Sequence, residues 1–233
     1  MTAEQYSRDE QARTFAQEIL DTVAATLVTN EVEILIDTSE QRYTLRTARP
    51  GFPLFVRGRS VGVLYFDYDL SLDHTGTYLK VLQSGIEVTS EVSRTPLVRL
   101  DFRGDAGKEP VSHWQVHAES GPASAWLTRA FPDSQQPRKD YGLDRIWLPT
   151  GGERFRPCLE DVLEMLVVSL GVDHHDSWRV AVRRGRAGWR RRQLGAAVRD
   201  DPDNAARVLG KLGYTVTPPS ELPPRREAQL WRW

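Results

Sequence analysis

An α+β fold is predicted for this chain of 233 residues, and three observations predict it. Apolar residues recur every three or four positions up to Asn30, every second position from there to Leu148, and every three or four again from Pro157. The alternating segments are separated by short turns with no crossover helix between them, so neighbouring strands pair antiparallel, in a meander of about six to eight strands. The composition, 39% hydrophobic and 27% charged, is that of a packed globular chain and excludes collagen-like and fully disordered classes.

The elements follow in order. Ser7-Arg8-Asp9-Glu10 fits a capping box, and Ala12, Phe15, Ile19, Val23 and Leu27 continue as one face of a helix. Val32, Ile34 and Ile36 then alternate with Glu31, Glu33 and Leu35, and Tyr43–Thr47, Leu54–Val56 and Val61–Leu70 read as further strands. Arg57-Gly58-Arg59-Ser60 is the expected hairpin connection, and Leu64, Phe66, Tyr68 and Leu70 share one strand face. Tyr78–Leu82, Ile86–Val92, Leu97–Phe102, His113–Ala118 and Asp144–Leu148 complete the strand candidates, with polar loops at 103–110 and 132–142. Leu159, Val162, Leu163, Leu166, Val167 and Leu170 form a wide apolar stripe that predicts a packed helix over 158–170, stopped by Gly171. Trp178–Val198 and Asp201–Leu212 read as two more helices, the second opened by Asp201-Pro202 and closed by Gly213. Thr217-Pro218-Pro219-Ser220 and Pro223-Pro224-Arg225-Arg226 predict an extended tail. The expected organisation is therefore a sheet domain over 1–172, a basic helical appendage over 177–216 and a Pro-rich tail over 217–233.

Charge is divided unevenly. Residues 177–233 carry 13 basic against five acidic side chains, a net +8, and residues 1–176 carry 18 against 27, a net −9. Of the 31 basic residues 27 are arginine, a skew that reads as the codon bias of a GC-rich genome, so arginine clusters are discounted accordingly. No run of about 18 apolar residues occurs, so no membrane span is expected. Met1-Thr2-Ala3-Glu4-Gln5 lacks the basic start of a signal peptide, and one cysteine, Cys158, fits a reducing compartment. A cytoplasmic location is expected.

Pro96–Asp101, the histidine strand, the stretch Leu148–Pro157, Leu212-Gly213-Tyr214 and Pro218-Pro219 together resemble an uncharacterised family of bacterial proteins from high-GC, actinobacterial-type genomes. The likeness spans about residues 95–219, and Gly151-Gly152-Glu153-Arg154-Phe155-Arg156-Pro157 is its most specific part. That resemblance implies no activity.

Two constellations carry candidate chemistry. If 97–103 and 113–118 are neighbouring strands, Arg99 and Asp101 share a face with His113, Gln115 and His117, opposite Val98, Leu100, Phe102, Trp114 and Val116. Two imidazoles, a carboxylate and a guanidinium form a kit for acid–base chemistry on a phosphodiester or for binding an anion; the plainer alternative is the solvated face of a one-sided sheet. Residues four apart on a strand are about 13 Å apart, so His113 and His117 cannot share a metal ion, and none is expected. The second constellation is the helix from Trp178, whose Arg183, Arg184, Arg186, Arg190, Arg191 and Arg192 suit phosphates or an acidic protein partner. Its apolar seam of Trp178, Ala181, Val182, Gly185 and Trp189 favours docking over phosphate binding alone.

Two lesser features have plain readings. Asp173-His174-His175-Asp176 has the residues of a metal or phosphoesterase motif, but it follows a helix and a glycine, so it reads as a hinge with Asp176 or Ser177 capping the next helix. Cys158 sits at a helix start beside Glu160 and Asp161 and reads as a buried, unreactive thiol. No Walker loop, zinc-ligand set, nucleophile elbow or dinucleotide fingerprint is present, and no cofactor is expected. The function favoured is a non-enzymatic binding or regulatory protein acting through its basic C-terminal region on a protein partner or a second copy. The alternatives are a small hydrolase or nuclease of toxin or phage-defence type, using Asp101, His113, His117 and Arg99, and nucleic-acid binding by the arginine helix.

Overall fold

The computed structural model describes residues 3–30, 33–39, 42–73, 76–106, 110–118, 146, 148–221, 226 and 228–231. Helix α1 spans Ala3–Thr26. It begins a turn before the expected capping box at Ser7, because Ala3, Glu4 and Gln5 are strong helix formers and carry the helix upstream. Its apolar face places Ala12, Ala16, Ile19 and Val23 in the core.

Eight strands follow: β1 (Ile34–Ser39), β2 (Arg42–Thr47), β3 (Phe52–Val56), β4 (Arg59–Leu72), β5 (Leu79–Ser90), β6 (Pro96–Arg103), β7 (Ser112–Val116) and β8 (Leu148–Pro149). They form one open sheet in the order β1-β2-β4-β5-β6-β7-β8, with β3 also pairing β4, and the pairs are antiparallel. The β3–β4 hairpin turns on Arg57 and Gly58, with φ of 51° and 72°. Two positive φ values make the type I′ geometry that matches strand twist. Leu64, Phe66, Tyr68 and Leu70 are buried on one face of β4, as their spacing predicts.

One strand replaces two. The sequence predicts separate strands at Tyr78–Leu82 and Ile86–Val92, whereas β5 runs unbroken through Gln83, Ser84 and Gly85, which pair with Asp69, Tyr68 and Asp67 of β4. A glycine weakens a strand locally, but pairing on both sides supplies the ladder that overrides the turn signal. At the far edge only Leu148–Pro149 forms β8; residues 144, 145 and 147 of the expected strand lie outside the described residues, as do 107–109 and the whole of 132–142.

Helix α2 spans Leu159–Leu170 and stops at Gly171, which adopts φ 66°. Helix α3 spans Trp178–Asp200, and α4 spans Pro202–Lys211, where the Asp201 side chain accepts the Asn204 amide. A short α5, Ala228–Trp231, lies in the tail that was expected to be extended. Helices α1 and α2 with the first turns of α3 cover the same sheet face, where Val162, Leu163, Leu166, Trp178 and Val182 join Leu45, Phe66, Ile86 and Leu100. The segment expected as an appendage thus divides: α3 is anchored in the core by Trp178 and Val182, whereas α4 buries none of its residues. Among the described residues no helix is long and apolar enough to cross a membrane.

Asp173 anchors the link between α2 and α3. Its carboxylate accepts the Arg57 and Gly58 amides at 2.8 and 2.7 Å, and its own amide donates to the Phe55 carbonyl at 2.7 Å. The His175 amide donates to the Thr26 carbonyl, and the His174 ring lies 5.7 Å from that of Trp178. The Asp-His-His-Asp run therefore ties the hairpin and α1 to α3. Ser177 caps α3 by position without a side-chain bond, since the tertiary contacts of Asp173 already fix the chain's entry.

Candidate functional site

The register brings the expected histidine face together and adds a carboxylate. Asp67, Gly85, Asp101 and His113 stand in one row across β4, β5, β6 and β7, and Arg99 pairs with Gln115 beside them. Strand alternation puts this row on the face away from the core, while Trp114 and Val116 pack against the core behind it. Arg99 donates from Nη2 to Asp101 Oδ1 at 3.1 Å. Gly85 makes room for two carboxylates: a Cβ there would sit 2.9 Å from Asp67 Oδ1 and 3.6 Å from Asp101 Oδ1. Burial pushes the Asp67 carboxyl up to about 6, and the charges of Asp69, Asp101 and Glu87 push the same way against the pull of Arg99.

His113 is not a solvated side chain. It is 4% exposed, and its Nδ1 lies 3.1 Å from the Pro110 carbonyl oxygen, which can only accept, so the ring donates from Nδ1. His117 falls just beyond β7, where its amide donates to the Leu97 carbonyl at 3.1 Å. Its Nε2 and the Arg99 Nε are buried without hydrogen-bond partners among the described residues. Asp101, Arg99 and His113 thus share one face in paired register, while His117 follows beyond the end of β7. Asp67 was not anticipated; its signal was the pair Asp67 and Asp69 on the polar side of an otherwise apolar strand.

The arginine helix divides its cations by face. Arg186 reaches α2, donating to Asp161 at 2.8 Å and to Glu164, and Arg192 reaches α1, donating to Glu18 at 2.7 Å. Arg183, Arg184, Arg190 and Arg191 are exposed, and Val180, Leu194 and Val198 are exposed apolar residues on the same helix. On α4, Val208 and Leu209 are exposed as well, and Leu212 follows at its end.

The Gly-Gly-Glu-Arg-Phe-Arg-Pro stretch joins sheet and helix. Arg154 forks onto the Asp200 carboxylate at 2.5 and 3.2 Å and also bonds Glu153 at 2.9 Å. Glu153 and Asp200 are buried, with Lys80 3.8 Å from the first and Arg226 3.6 Å from the second. Arg156 is buried between the Phe102 ring at 3.7 Å and the Trp189 ring at 4.9 Å, and burial lowers its guanidinium to about 10. The Cys158 thiol is pushed well above its ordinary range by burial first and then by Glu160, which leaves no reactive thiolate.

Between α3, α1 and the sheet two adjoining cavities open, of about 430 and 710 Å³. Both touch Phe15, Glu18, Arg156, Trp189, Arg191 and Arg192. Comparison with family profiles, with curated proteins and with solved structures returns no match for this chain.

Proposed function

We propose that this chain is a non-enzymatic binding protein that works through the outward face of α3 and α4, and that the surface docking there is the acidic body of a second copy. The observation that carries this reading is α4. Ala205, Val208, Leu209 and Leu212 recur at the i, i+3, i+4, i+7 spacing of a packed face, yet no residue of the helix is buried. Leu194, 63% exposed, and Val198 extend the apolar surface onto α3, with Arg183 and Arg190 around it. Apolar surface rimmed by charge is the make-up of a protein interface. A net +8 over residues 177–233 against −9 over 1–176 makes a second copy the complementary partner.

Sedimentation velocity in about 0.1 M and about 1 M salt tests it, since the screening length falls from about 10 Å to about 3 Å between them. The expected result is a dimer that loosens at high salt and that the double substitution Leu209→Glu, Leu212→Glu abolishes without lowering Tm. A monomer in both salts, or an oligomer indifferent to both substitutions, overturns the reading.

A second reading, hydrolysis at the outer sheet face, is favoured by one observation: a carboxylate poised at about 6 beside a second carboxylate over Gly85. Asp67 would then serve as the proton donor and Asp101, held by Arg99, as the base. Phosphodiesterase turnover that Asp67→Asn and Asp101→Asn each remove would establish it; equal turnover by both variants would dismiss it.

A further inference from the structure

We propose that the cleft beneath α3 is a binding site for a nucleoside phosphate, separate from the outward face of the same helix and independent of what docks there. The cleft is built open. Helix α3 turns Gly188, Gly195 and Ala196 towards the cavities; a Cβ on Gly188 would meet nothing within 4 Å, and one on Gly195 only the Arg199 Nη1 at 3.6 Å. The larger cavity, about 710 Å³, falls within the range of roughly 300–1,000 Å³ usual for small-molecule sites.

Its walls hold three kinds of group that one ligand class would use together. First is charge. Seven basic and five acidic side chains line the larger cavity among the described residues. Glu153, Asp200 and Glu18 are already engaged by Lys80, Arg154, Arg226 and Arg192, Arg156 is held between Phe102 and Trp189, and Glu10 and Asp73 are the other two acids of the lining; Arg191 and Arg199 face the space with no carboxylate paired to them among the described residues. Guanidinium groups without carboxylates suit phosphate. Second is a set of aromatic surfaces: Tyr78 lies 4.2 Å below the Arg199 guanidinium, Phe15 lies 6.0 Å from that of Arg192, and Trp189 packs on Arg156. Third is an orphaned pair. Trp189 Nε1, a donor, and Gln193 Oε1, an acceptor, sit one turn apart on α3, buried and without partners among the described residues. A purine or pyrimidine edge presents the complementary acceptor and donor, and its ring stacks on the aromatic walls. An anion alone would leave the orphaned pair and the rings unused; an aromatic ligand without phosphate would leave the arginines unused.

Isothermal titration of the full chain with AMP and ATP, and with adenosine and pyrophosphate as half-ligands, tests the proposal. One saturable site is expected for AMP or ATP, with adenosine and pyrophosphate each at least about tenfold weaker, a difference of about 1.4 kcal/mol. Gly195→Leu fills the cleft from a helix position with room for a side chain, so it should abolish binding while Tm stays at or above that of the parent. Arg199→Gln should weaken ATP about tenfold with an unchanged Tm. The Leu209→Glu, Leu212→Glu chain should bind as the parent does, which separates this site from the docking face. No saturable binding of either nucleotide at about 1 mM overturns the proposal. Pyrophosphate binding as tight as ATP, or binding that survives Gly195→Leu, overturns it as well.

Discussion

Asp67 occupies a position where the folded chain holds a proton more tightly than the unfolded chain does. Its carboxyl moves from 3.8 to about 6, so the folded state loses stability as pH rises through that window and keeps the full cost above it. At about 1.36 kcal/mol per pH unit, and discounted because the carboxyl is partly solvated, the cost at neutral pH is about 1–2 kcal/mol. Asp67→Asn is expected to stabilise the protein by that amount at pH 7 and by much less near pH 4, which urea melts at the two pH values would show. Asp200 contributes to stability through an ion pair. It is buried and held by Arg154, so Asp200→Ala removes one of the two carboxylates on that guanidinium and leaves Glu153 as its remaining counter-charge. A loss of about 1–3 kcal/mol is expected by denaturant titration. Of these residues, Asp101 and His113 were legible in the sequence because period two fixes which residues share a face. Arg154, Asp200 and Trp189 were not, since their partners lie on elements remote in the chain.

At the scale of elements, α3 has three faces with different environments. Trp178 and Val182 enter the core, Arg186 and Arg192 tie the helix to α2 and α1, and Arg183, Arg190 and Leu194 face outward. Trp178→Ala removes a side chain that is 2% exposed and is expected to cost about 3–5 kcal/mol, with Arg190→Ala within about 0.5 kcal/mol of the parent. Thermal melts of the two variants check the contrast. If both were neutral, α3 would be a loosely attached arm. The helix's existence followed from its caps and composition. Which arginines are used internally did not, because that depends on where Asp161, Glu164 and Glu18 are carried by α2 and α1.

Among the described residues the molecule is a sheet with one face packed by helices, the other bearing Asp67, Asp101 and His113, and a helix α4 none of whose residues is buried. Because α4 buries nothing, its backbone hydrogen bonds should open with little cost. Hydrogen exchange is expected to find α4 amides the fastest of the helices α1–α4 in dilute protein, and slowed at concentrations where a dimer forms. The sequence by itself determined the fold class, the antiparallel sheet, the inward row of β4, the stop of α2 at Gly171 and the split of charge. Each of these rests on local periodicity, caps or composition, which neighbouring residues impose on one another. Only the tertiary structure decided that β5 is one strand, that α3 is docked while α4 is bare, and that Asp67 joins Asp101 over Gly85. It alone placed Arg154 on Asp200 and opened the cleft under α3. Those outcomes depend on register and on burial between segments far apart in the chain, where the energy of a contact outweighs any local preference.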